Sequence, residues 1–99
     1  MQNDIVATAK KTIDNILDLI EELNVNDEFD VDFRDEVLTV ETSKGGFVIN
    51  YHSSANQIWL SSPISGPHHF SYNFETSSWN NRYEEELKSL ILKEFMTQL

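Results

Sequence analysis

The sequence contains no cysteine, only two prolines and three glycines, and no long apolar run. Without thiols there are no disulfides, no thiolate metal sites and no cysteine nucleophile, and cysteine usage carries no compartment signal. No stretch approaches the roughly 18 consecutive apolar residues of a membrane-spanning helix. The N-terminal segment MQNDIVATAKK lacks both the apolar core of a signal peptide and the Arg-rich, acid-poor pattern of a transit peptide. The expectation is therefore a cytosolic chain, or a mature form already processed. Positive charge is scarce too: 7 Lys and Arg stand against 17 Asp and Glu, for a net charge of −10. Nucleic acid and anionic membranes require a basic footprint, so neither is expected as a partner. Cations or a basic protein surface suit this charge better, although solubility alone would also account for the total.

What is present fits one folded domain spanning residues 1–99. Hydrophobic residues make up 39% and aromatics 11% of the 99 positions, enough for a core and too much for a disordered chain. Residues 3–24 are predicted to be helical, because Val6, Ala9, Ile13, Ile16, Leu17, Ile20 and Leu23 recur at spacings of three and four. Residues 28–33 alternate as a half-buried strand does, with Phe29, Val31 and Phe33 on one side and Glu28, Asp30 and Asp32 on the other. Short strands follow at 37–42, 47–51, 57–62 and 68–74, with another piece around Trp79. They are separated by the hairpin signal Ser43-Lys44-Gly45-Gly46 and the loop Pro63-Ile64-Ser65-Gly66-Pro67. A second helix is expected over 82–98, with Tyr83, Leu87, Leu90, Ile91 and Phe95 on its apolar side. Asn80 or Asn81 would cap it, and Glu84, Glu85 and Glu86 would occupy its first turn. Short connections imply an antiparallel meander. The predicted class is α+β, a two-layer α-β sandwich with both helices on one face of about six strands.

The acidic residues are unevenly placed. Asp14, Asp18, Glu21, Glu22, Asp27, Glu28, Asp30, Asp32, Asp35, Glu36 and Glu41 all fall within 28 positions, and only Arg34 opposes them there. Asp14, Asp18, Glu21 and Glu22 share one helical face away from the apolar stripe. Asp18, Glu21 and Glu22 lie near the helix C-terminus, where the macrodipole is already negative, while Lys10 and Lys11 lie in its earlier half. Like charges four apart, such as Asp14 and Asp18, cost roughly 0.2–0.5 kcal/mol. A bound cation would offset this misfit, and all-oxygen ligands suit hard ions such as Ca²⁺, Mg²⁺, Mn²⁺ and iron. With no EF-hand loop or His-His-carboxylate triad, binding would be shallow, multi-site and weak. The competing reading is a solvated acidic face, or one that docks a basic protein patch.

Other candidates are fewer. In Gln57–Ser62, Ile58 and Leu60 point to the helices, which leaves Trp59 on the open face beside Gln57 and Ser61. Tryptophan there suits a protein-binding hot spot, or a ring covered by cross-strand neighbours. His68 and His69 point to opposite faces and do not share a metal, and His52 has no assignable partner. Ser61, Ser62 and Ser65 lie near His68, but no acid is placed as a third member, so no hydrolase is expected.

The stretch Val48-Ile49-Asn50, then Asn56-Gln57-Ile58-Trp59-Leu60-Ser61-Ser62-Pro63, then Ser65-Gly66-Pro67, resembles the frataxin family, which includes the bacterial CyaY proteins. VLTVET and the first-helix pattern Thr12-Ile13-Asp14 through Glu21-Glu22-Leu23 resemble it too, and the similarity runs from about residue 5 to 98. The resemblance implies weak binding of iron, Fe²⁺ or Fe³⁺, by an acidic ridge of Asp14, Asp18, Glu21, Glu22, Glu28, Asp30 and Asp32. It also implies association with a cysteine desulfurase and scaffold protein that build iron–sulfur clusters, with Asn50, Gln57 and Trp59 turned toward those partners. A regulator rather than an enzyme is expected, acting as a monomer. Iron storage or ferroxidase activity, which is attributed to some members, is the alternative. Tyr51-His52 and His68-His69 depart from the Lys-Gln and basic pairs common in eukaryotic members. The expected setting is a bacterial cytoplasm, with the mitochondrial matrix as the alternative.

Overall fold

The structure, a computed structural model, describes residues 2–99, with side-chain surroundings from Ile5 onward. The chain runs α1 (Gln2–Leu23), β1 (Asp30–Arg34), β2 (Val37–Thr42), β3 (Gly45–His52), β4 (Gln57–Ser62), β5 (Gly66–Asn73), β6 (Ser78–Asn80) and α2 (Leu87–Met96). The six strands form one sheet in sequential order, every neighbouring pair antiparallel. Two-state alternation sets the layers. Leu38, Val40, Phe47, Ile49, Ile58, Leu60 and Phe70 are buried on one side of the sheet, and the helices supply Ala9, Ile13, Ile16, Ile20, Leu87, Leu90, Ile91 and Phe95 against them. Phe95 closes the core edge-on to Phe29 and packs against Phe47, at ring separations of 5.1 and 4.4 Å. Trp79 donates its indole N–H to Thr12 Oγ1 at 3.1 Å, tying β6 to α1.

The class, layers and strand number are those predicted, and several boundaries differ. Pairing of β1 begins only at Asp30, opposite Glu41, so Glu28 precedes the strand. The Asn24 side chain takes the pairing earlier: its Nδ2 donates to the Phe29 carbonyl and its Oδ1 accepts from the Phe29 N–H. Phe29 is buried as predicted, while Phe33, on the edge strand, is 40% exposed. Asp35 and Glu36 both have positive φ, 52° and 64°, and make the two-residue turn between β1 and β2.

The second helix is shorter than the 82–98 expected. Asn81 caps a preceding turn, its Oδ1 accepting from Tyr83 N–H and Glu85 N–H, and Asn80 bridges to Glu86 in a short β contact. Glu86 is the N-cap of α2, accepting from Lys88 and Ser89 N–H groups. Glu84, Glu85 and Glu86 thus stand before the first turn, and Tyr83 lies outside the apolar stripe, 67% exposed. A local turn that uses an Asn side chain defeats helical periodicity here, because three glutamates in a row read equally well as a first turn.

Candidate functional site

The acidic residues form a rim. Burial of Ala9, Ile13, Ile16 and Ile20 turns the opposite side of α1 to solvent, so Asp14, Asp18, Glu21 and Glu22 are all exposed. Glu28 is exposed in the connection to β1. On β1 the register pairs Val31 with Val40 and Phe33 with Leu38 toward the helices, which sends Asp30 and Asp32 to the other face. Asp30 stands directly opposite Glu41, a like-charge pair across the strands. Glu41 therefore continues the row on β2, a member that only the pairing register reveals. Asp32 is in part locally neutralised by Arg34, whose Nη2 lies 3.0 Å away, and Lys10 reaches from α1 to Glu36 in the β1–β2 turn at 3.0 Å.

The rim thus has two rows, Asp14, Asp18, Glu21 and Glu22 on the helix layer and Asp30, Asp32 and Glu41 on the far face, at the β1 edge of the sheet. Among the described residues, no three carboxylates or imidazoles converge as a ready-made metal cage. Carboxylate oxygens of this kind match a hard cation in chemistry, and their exposure leaves any bound ion most of its water.

A second cluster occupies the open face. Register places Asn50 opposite Trp59, and Trp59 opposite His69. The indole of Trp59 lies between two imidazoles: His52 at 3.8 Å and His69 at 4.2 Å, with the rings 13° and 11° from parallel. Its N–H donates to Gln57 Oε1 at 2.9 Å, and Gln57 Nε2 donates to Ser71 Oγ at 3.1 Å. Cross-strand cover and an outward tryptophan are both realised, since Trp59 is half-buried yet faces solvent. The histidine sandwich was not readable from sequence spacing. Asn50 lines a separate groove with Asp14, Lys10 and Phe33 at the β1–β2 end, so Asn50 and Gln57 open onto different cavities.

An acid does lie beside the serines, contrary to expectation. Glu94 of α2, buried, accepts from Ser62 Oγ at 2.6 Å and from Ser65 Oγ at 2.5 Å. Ser65 Oγ also lies 2.7 Å from His68 Nε2, and His68 Nδ1 lies 3.2 Å from Asn81 Nδ2. With the Ser65 proton given to Glu94, His68 donates to Ser65 and accepts from Asn81. That wiring satisfies every member, and it opposes a catalytic triad, in which the serine must give its proton to histidine.

A family model for the frataxin-like domain matches residues 2–99. The chain belongs to the frataxin family. It is 39% identical to the mitochondrial frataxin homolog of Schizosaccharomyces pombe over 83% of this chain and 52% of that protein. With mitochondrial frataxin of Arabidopsis thaliana it shares 37% over 92% of this chain and 51% of that protein. With that of Caenorhabditis elegans it shares 38% over 95% and 74%. It thus spans about half the length of the first two of these curated relatives. Trimeric frataxin from Saccharomyces cerevisiae, solved in complex with ferrous iron, superposes with a TM-score of 0.82 at 31% identity, over 92% of this chain and 84% of that one. Frataxin from Psychromonas ingrahamii shares the fold, with a TM-score of 0.81 at 23% identity over 98% and 90%. The frataxin fold of this chain thus carries the acidic rim on α1 and the β1–β2 edge, and the Trp59 cluster on the open face of the same sheet.

Proposed function

We propose that this frataxin-family chain is an iron-binding accessory protein of iron–sulfur cluster assembly, acting on a cysteine desulfurase–scaffold complex. The observation that carries the reading is the row Asp14, Asp18, Glu21 and Glu22, exposed on α1 with no basic residue in the last helical turn. This placement opposes the macrodipole, and a cation relieves it. Iron is held as cargo on the surface, by carboxylate oxygens and water. The ferrous complex of the yeast relative supports iron as the ion. Trp59 and Gln57 offer the scaffold a patch on β4, on the same open sheet face as Asp30, Asp32 and Glu41, with Asn50 of β3 between the two, and the rim also offers charge to a basic patch of the desulfurase. On this reading the setting is a bacterial cytoplasm or the mitochondrial matrix. The deciding measurement is desulfurase turnover in a reconstituted mixture with scaffold, with and without this protein. A change in turnover that needs both the rim and Trp59 supports the proposal, and turnover indifferent to the protein refutes it.

A further inference from the structure

The sheet edge opposite the acidic rim has a different chemistry. A cleft of about 530 Å³ opens between β5, β6 and the turn at residues 81–83. None of the residues lining it is acidic, in a chain whose net charge is −10, and they include Arg82, His68 and His69. We propose that this cleft binds a small oxyanion, a phosphate or carboxylate group, through Arg82, His69 and Ser71. The inference is independent of the role in cluster assembly.

The donors are held in place and have capacity left. The Arg82 guanidinium lies over the Tyr83 ring, 5.0 Å from its centroid, which orients its planar fork without using its N–H groups. His69 stacks on Trp59 and lines the cleft, and among the described residues its ring nitrogens make no side-chain hydrogen bond. Ser71 Oγ accepts from Gln57 Nε2, which leaves the hydroxyl proton free to donate. Of the nearby carboxylates, Glu84 and Glu75 lie outside the cleft lining and the other two are engaged. Glu85 accepts from Asn81 Nδ2 at 2.9 Å, and Glu86 caps α2. Asn81, buried and bonded at both ends of its amide, is the positioning residue that fixes the turn carrying Arg82. A charge-assisted, forked donor beside two further donors, with no competing anion lining the cleft, matches the needs of an oxyanion.

The test is an NMR titration of the ¹⁵N-labelled full chain with inorganic phosphate and, separately, with citrate, at matched ionic strength. Saturable shifts centred on His69, Ser71, Asn80 and Arg82 are expected. Saturation by one anion alone identifies phosphate or carboxylate as the preferred group. Arg82→Gln should weaken binding by about tenfold, whereas Lys88→Gln, an equal charge change on exposed α2, should leave it unaltered. Absence of saturation with both anions overturns the proposal, as does equal weakening by the two variants.

Discussion

Glu94 Oε1 accepts the hydroxyl proton of Ser62 at 2.6 Å, across 32 residues of sequence, so α2 holds the loop that follows β4. The same hydroxyl oxygen accepts from the N–H groups of Ile64 and Ser65. Removing the carboxylate strands the buried Ser62 hydroxyl, while the exposed Ser65 keeps its contact with His68. Glu94→Ala is expected to lower stability by about 2–3 kcal/mol, with faster hydrogen exchange at the Ile64 and Ser65 amides. Urea denaturation with an unchanged midpoint would show that the contact contributes nothing.

The acidic rim should trade stability against metal. Converting Asp18, Glu21 and Glu22 to their amides removes charge from the negative end of α1, so Tm without iron should rise by a few degrees at low ionic strength. The same protein should lose Fe²⁺-induced NMR line broadening along α1. Retained broadening along α1 would show that these three carboxylates are not the ligands; a fall in Tm would contradict the repulsion.

Trp59 should act separately from the rim. Trp59→Ala is expected to reduce the effect on desulfurase turnover severalfold while leaving iron broadening at α1 intact. Equal loss of both would deny two distinct surfaces. The sandwich itself can be read optically. In a Trp79→Phe background, His52→Ala with His69→Ala should raise acrylamide quenching of Trp59 about twofold, as the ring faces are uncovered.

Two adjacent glycines should respond unequally. Gly45 has φ of 124°, and a Cβ there would lie 2.8 Å from Pro63 Cβ, so Gly45→Ala should cost about 2 kcal/mol. At Gly46 the added carbon meets the mobile end of Glu41, 2.7 Å from its Oε1, so Gly46→Ala should cost under about 1 kcal/mol. Thermal unfolding of both variants checks the order.

Strong periodicity made α1 and β4 readable almost to the residue, because α1 has one apolar stripe and β4 alternates buried with outward positions. The start of α2 was not, since Asn81 and Glu86 use side-chain hydrogen bonds that mimic a helical start in sequence. The rows on α1 and on the outward side of β1 were legible from helical and strand periods, whereas how β2 extends them depends on strand register. Glu41 joins Asp30 only through pairing, and His52 and His69 meet only across Trp59. Long-range contacts of this kind leave no mark on local spacing. Glu94 is the extreme case, a helical glutamate indistinguishable in sequence from a solvated one.

The sequential strand order bears on how the chain assembles. Each hairpin closes over a few residues, so the meander can zip from any turn at small entropic cost. Joining α1 to β6 is slower by nature, because Thr12 and Trp79 are 67 positions apart in the sequence. Until that happens the apolar side of the sheet is bare. The late event in folding is thus the capture of α1 by β6 and α2, and anything that delays it prolongs exposure to aggregation.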